Sequence, residues 1–407
     1  MPFVKRRPFL SAGLALICAV FVVAAISYGS KPGGDYMGRV LVAGHGGHIA
    51  DANVVINPMD LDNPIKIPEY TLWTGNKLHM IPLGPASDHA VHDVRIDSRD
   101  KNTVFWSTYL SPKAYVIVGK ADLIENKFIA EKQYPLPKEV IEFGKTIDKT
   151  LYCGSGQSEK YFMPIFMGYP GFIDVVDKDT LELKHRVMLS SSPDLPVNYK
   201  FTHGVNSPDM KHLYIVMNDA DKPHGYPSGK QHLFMLDMAS LEKGEIKVVN
   251  SNSVDLPDGT ITFRATFTSD GKYILQSART RTLLLDAEDL SVVKNTPIPA
   301  GWENHDVMPT PDGKYGIAAL RVPVENKEGK VVKDGQIALW DIQKNKYIGK
   351  PMSTCRQCHK KNEKHGPLMW GFELVGCTRC HQDERSVQDV MGNNILCGLD
   401  GNLRVRQ

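Results

Sequence analysis

The stretch His305-Asp-Val-Met-Pro-Thr-Pro-Asp-Gly-Lys-Tyr-Gly-Ile-Ala-Ala319, followed after a loop by Gln336-Ile-Ala-Leu-Trp-Asp341, decides the fold. It reads as a short β-rich run, a Pro-Asp-Gly reversal, a second run, and a third run that ends on tryptophan and aspartate. Proline presets φ, aspartate binds nearby backbone donors, and glycine accepts positive φ, so this trio marks a strand-to-strand reversal. The same order recurs upstream. One copy is Arg264-Ala-Thr-Phe-Thr-Ser-Asp-Gly-Lys-Tyr-Ile-Leu275, with Thr282-Leu-Leu-Leu-Asp286 behind it. Another is His203-Gly-Val-Asn-Ser-Pro-Asp-Met-Lys-His-Leu-Tyr-Ile-Val-Met217, with His232-Leu-Phe-Met-Leu-Asp237 behind it. Weaker copies begin at His92 and near Tyr152, and Arg39–Ala43 with Ala52–Ile56 supplies a first one.

Copies of four short strands, starting 41 to 61 residues apart, are the signature of a β-propeller, in which each blade buries its faces against its neighbours. The count predicts an all-β, six-bladed propeller over residues 36–350, or seven blades if Asn394–Val405 closes the ring from residues 394–407. These units resemble the YVTN family of extracytoplasmic propellers, with nitrous-oxide reductase and the d-haem nitrite reductases as enzyme relatives. The resemblance implies the fold and leaves the chemistry open, since propellers host many activities.

The register of the copies adds a candidate site. His92, His203 and His305 share the slot where the innermost strand begins, at the mouth of the central channel; Arg264 holds it in one copy and Tyr152 or Cys153 in another. The loop Ala43-Gly-His45-Gly-Gly-His48 opens on the same face. Five imidazoles could therefore converge on a copper, zinc or d-type haem site. Histidines that merely hydrogen-bond neighbouring strands in a wet channel would give the same pattern. The arrangement resembles that of nitrous-oxide reductase, but the chain has too few histidines for its copper cluster and no copper domain after the propeller.

Cysteine is concentrated elsewhere. Of seven, five fall in the last 53 residues, too few overall for a disulfide scaffold. Cys355-Arg-Gln-Cys358-His359 and Cys377-Thr-Arg-Cys380-His381 are two C-x-x-C-H motifs, the pattern of covalent haem c attachment. The two thiols add to the haem vinyl groups, and the next histidine ligates iron. A zinc site could use the four cysteines at this spacing, but it gives His359 and His381 no role. Residues 351–393 are thus expected to carry two haem c groups, with His365 as a candidate far-side iron ligand and Met369 or Met391 as substitutes. Cys397 is left over.

At the other end, Lys5, Arg6 and Arg7 precede an apolar run from Phe9 to Tyr28. Twenty residues at 1.5 Å each span roughly 30 Å, enough for a membrane anchor. The basic start, with a small-residue site at Ala25-Ile26-Ser27, also suits a signal peptide within residues 1–30. Either places the body on the periplasmic or extracytoplasmic side. The balance of 48 basic against 46 acidic residues excludes a nucleic-acid partner on bulk charge. The expected function is therefore a membrane-anchored dihaem cytochrome passing electrons to other redox proteins or a respiratory complex, with the propeller as docking platform. The alternative is an oxidoreductase with an added metal or haem at the channel mouth. No Gly-x-Ser-x-Gly or His-Glu-x-x-His motif supports a hydrolase.

Overall fold

The computed structural model describes residues 36–43, 48–66, 79–85, 89, 91–100, 102–108, 114–144, 152–310, 312–325, 331–353 and 404–405. Five sheets are four-stranded antiparallel meanders, each strand paired with the next in sequence. Blade 1 is β5 (Val91–Ile96), β6 (Thr103–Thr108), β7 (Tyr115–Asp122) and β8 (Lys127–Pro135). Blade 2 is β9 (Tyr152–Gln157), β10 (Tyr161–Phe166), β11 (Phe172–Asp177) and β12 (Leu183–Met188). Blade 3 follows as β13 (Tyr199–Asn206), β14 (His212–Ala220), β15 (Pro227–Asp237) and β16 (Val248–Asp255). Blade 4 is β17 (Ala265–Phe267), β18 (Tyr273–Ala278), β19 (Arg281–Asp286) and β20 (Val292–Pro297). Blade 5 is β21 (Glu303–Pro309), β22 (Tyr315–Glu325), β23 (Val331–Asp341) and β24 (Lys346–Ser353).

A further sheet precedes blade 1. β1 (Tyr36–Ala43) pairs with β2 (His48–Ile56), whose other edge is shared by two short strands, β3 (Ile65–Lys66) and β4 (His79–Pro82). The two-residue β25 (Arg404–Val405) lies antiparallel to the start of β1. Five blades thus have the propeller form, against the six or seven that the repeats predict. The N-terminal copy departs because the strand beside β2 is broken: Ile65–Lys66 pair with one end of β2 and His79–Pro82 with the other. Among the described residues no helix is long and apolar enough to cross a membrane; residues 1–30 lie outside them.

Two turns explain why the blades repeat. In the first, the hydroxyls of Ser207, Thr268 and Thr310 donate to Asp209, Asp270 and Asp312 at 2.6, 2.7 and 2.7 Å. The same hydroxyls accept the N–H of His212, Tyr273 and Tyr315 at 3.1, 3.0 and 3.1 Å. The residue after each aspartate is left-handed: Met210, Gly271 and Gly313, at φ 56°, 71° and 67°. In the second turn, between the third and fourth strands, one carboxylate caps the backbone in all five blades. Asp122 accepts from Ile124, Asp177 from Asp179, Asp237 from Ser240, Asp286 from Glu288 and Asp341 from Lys344, at 2.7 to 3.0 Å.

The core lies between sheets, not within them. Phe105 and Val118 of blade 1 pack on Phe162 and Phe172 of blade 2, with Phe105 stacked on Phe162 at 5.2 Å. Ile165 and Ile173 meet Ile215 and Phe234; Tyr214 and Val216 meet Ile274 and Leu283; Leu275 and Leu284 meet Ala318 and Trp340. Ile49 and Ile81 of the N-terminal sheet pack on Val94 and Trp106. Each seam removes large aliphatic and aromatic groups from water, roughly 1.5–3 kcal/mol for each fully buried side chain.

Polar locks add specificity to one seam. The ammonium of Lys178, fully buried, is held by Asp97 at 3.0 Å, Ser98 at 3.0 Å and Gln157 at 2.6 Å. Nearby, buried Asp174 receives a bidentate Arg186 (2.7 Å twice) and the Tyr152 hydroxyl (2.8 Å). Tyr152 therefore points into the blade seam, not into the channel.

Candidate functional site at the channel mouth

The first strands β5, β9, β13, β17 and β21 stand side by side around the centre. At their starting ends the structure brings together His203, Arg264 and His305, three of the slot residues. His203 is the fifth residue of β13, Arg264 immediately precedes β17, and His305 is the third residue of β21. All three are buried. Phe263 lies between the imidazoles, 4.5 Å from the His305 ring and 6.1 Å from that of His203.

Arg264 does more than fill a slot. Its guanidinium reaches Asp93 of β5 at 3.0 Å, with the side chains 4% and 1% exposed. Blades 1 and 4 are not neighbours, so this ion pair crosses the centre of the molecule. Asp93 also accepts from Arg95 at 2.6 Å, and Asp306 of β21 lies 3.8 Å from Arg264. Around the rim, Glu303 bridges Arg279 at 3.1 Å and Arg321 at 2.9 Å, tying the blade 4 turn to blade 5.

Burial sets the protonation states. Loss of water, with Arg264 close by, pushes the His203 imidazole down to about 3, so it is neutral near pH 7. His305 is driven well below its ordinary value by burial first, then by Arg321, Arg264 and His203. Burial also raises the Asp306 carboxyl to about 7, although Arg264 pulls the other way. The Nδ1 of His203 and the hydroxyl of Thr202 are buried without a hydrogen-bond partner.

The sequence-derived ligand set is placed only in part. His203 and His305 converge. His48 lies at the start of β2 and His92 is the second residue of β5, on the backbone alone; His45 is outside the described residues. Also outside lie Cys355, Cys358, His359, His365, Cys377, Cys380 and His381. Among the described residues no group of three or more His, Cys, Asp or Glu could hold a metal ion. A guanidinium close to both histidines is also a poor neighbour for a metal cation, so the described residues alone do not fit one. What the sequence reading missed are Asp93 and Asp306, the partners of Arg264. Both directly follow a slot histidine, so the repeated His-Asp pairs at 92–93 and 305–306 were the available signal.

No known protein family matches the chain, and no curated protein does. Among solved structures it is similar to the β-propeller domain of Cps50 (Swd1) from Myceliophteria thermophila, at 13% identity and a TM-score of 0.43. That likeness covers 77% of this chain and 86% of the other. The β-propeller fold itself rests on the five blades described above.

Proposed function

We propose that the chain is an exported dihaem c-type cytochrome, tethered through residues 9–28, whose propeller is the platform on which redox partners dock. The observation that carries this reading is the tandem of Cys355–His359 and Cys377–His381 behind a basic, then apolar, N-terminus. Haem c is attached outside the cytoplasmic membrane, and the histidine after each cysteine pair has a role only if haem is present. The packed, cross-braced propeller suits a platform because its faces are held rigidly by inter-blade locks. In this reading β25 belongs to a closing segment that brings the C-terminal chain back to β1.

The test is a haem and metal inventory of the membrane-extracted protein. Two haems per chain with a c-type absorption band are expected, falling to one when Cys355 and Cys358 are both changed to serine. A haem-free chain carrying zinc would overturn the reading.

A second reading, an oxidoreductase with its own cofactor at the channel mouth, is favoured by one observation. Two neutral, buried imidazoles flank the Phe263 ring there, and the Nδ1 of His203 has no partner. Iron beyond two per chain, or copper, lost on His203→Ala would support it. An inventory of two irons that is unchanged by that substitution would remove it.

A further inference from the structure

We propose that residues 354–403, the segment with both C-x-x-C-H motifs, dock on the propeller face where the inner strands begin, over the channel mouth. Chain direction carries the argument. In each meander the first strand leaves this face, the second returns to it, the third leaves and the fourth returns. β24 is the fourth strand of blade 5, and it ends with Ser353 opposite Gln336, on this face. β25 runs antiparallel to β1, with Arg404 opposite Met37 and Val405 opposite Tyr36. β4 leads into the start of β5, and its last residue, Pro82, lies opposite His48 at the start of β2, so β1 ends at Ala43 on this face and the chain comes down to Arg404 from the same side. Fifty residues thus leave and return on one side of the molecule. By comparison, the joint from Pro297 of blade 4 to Glu303 of blade 5 takes only a short loop.

That face is shaped to receive a polypeptide. The β14–β15 hairpin extends to Ala220 opposite Pro227, and β22–β23 stay paired up to Glu325 opposite Val331. Between these two tall hairpins, blade 4 turns back at once, with Ala278 opposite Arg281. Blade 4 therefore stands lower on this face than the blades on either side of it. The same face carries half-buried rings over blades 2 and 3, Phe143 against Tyr169 at 5.0 Å and Phe201 against His224 at 5.2 Å, and the exposed ring of Tyr226 on the β14–β15 hairpin. The segment offers the matching chemistry in Pro367-Leu-Met-Trp-Gly-Phe372. It carries six basic and six acidic residues, so apolar contact and not net charge would seat it. Docking there would bring whatever haem the segment carries to the same face as His203, Arg264 and His305. That consequence rests on the cytochrome reading, whereas the placement rests on topology and surface.

Lysine cross-linking of the intact holoprotein, read by mass spectrometry, tests the placement. Lys360, Lys361 and Lys364 lie between the two motifs. Links from them to Lys138 and Lys222, exposed on the channel-mouth face, are expected. Links confined to Lys211, Lys272 and Lys314, on the turns of the opposite face, would overturn the inference, as would no link to Lys138 or Lys222. The absorption spectrum of the same sample separates the two ideas: loss of haem removes the cytochrome reading, and the cross-link pattern alone decides the placement.

Discussion

At the scale of single residues, the centre of the molecule depends on one guanidinium. Arg264 neutralises Asp93 from across the ring and sits beside Asp306, all three buried. Without Arg264, Asp93 keeps Arg95 at 2.6 Å, so what is lost is a buried charge-assisted contact across the ring and not the whole compensation of the carboxylate. Arg264→Met is therefore expected to cost about 1–3 kcal/mol in denaturant unfolding. Adding Asp93→Asn should recover part of that loss, and no recovery would mean the pair is not the cause. Acid and base should strain this cluster in opposite senses. His203 is held neutral, with its value lowered to about 3, so its contribution is complete above the ordinary histidine value and is lost as pH falls towards 3. His203→Gln should remove on the order of 2 to 3 kcal/mol of the stability lost between pH 7 and 4. Asp306, raised to about 7, contributes at low pH, and that contribution is lost as pH rises through 7. Asp306→Asn should flatten that side of the profile.

At the scale of elements, the repeated turns hold most of what could be read from the sequence. Ser/Thr-x-Asp is local chemistry, so its hydrogen bonds are specified within six residues, and three copies fold alike. Met210 occupies the left-handed position that Gly271 and Gly313 hold in the sister turns. A side chain there costs about 1–2 kcal/mol. Gly271→Ala should thus lower thermal stability by about 1 kcal/mol, while Met210→Gly should be neutral or stabilising by up to about 1 kcal/mol. Equal losses for both would mean the two turns are not equivalent. The cross-ring ion pair was not legible, because nothing near Asp93 in sequence indicates that an arginine from blade 4 will meet it. Only the ring brings them together. The same holds for Tyr152: its slot position predicts a channel-facing group, but Asp174 and Arg186 on later strands draw it into the seam. The blade count failed at the one copy whose third place is split between β3 and β4, a break that hydrophobic runs alone do not reveal.

At the scale of the whole molecule, a propeller is as strong as its closure, because every seam but one joins neighbours in sequence. Here blade 5 meets the N-terminal sheet beside β3. The Lys350 N–H donates to the Leu61 carbonyl at 3.1 Å, and its ammonium pairs with Asp62 at 2.9 Å. That surface ion pair is worth little. The closer constraint is Gly349, left-handed at φ 66°, whose missing Cβ would stand 2.6 Å from the Leu61 oxygen and 2.8 Å from the Pro64 ring. Gly349→Ala adds both backbone strain and a backbone clash, about 2 kcal/mol or more together. Hydrogen exchange should reveal where the damage falls. Amides of β1 and β2 are expected to exchange faster, together with those of β24, while β14 and β15 of blade 3 keep their protection. Uniform acceleration across all blades would show instead that the ring opens as one unit, and unchanged exchange would show that the contact at Leu61–Pro64 does not hold the ends together.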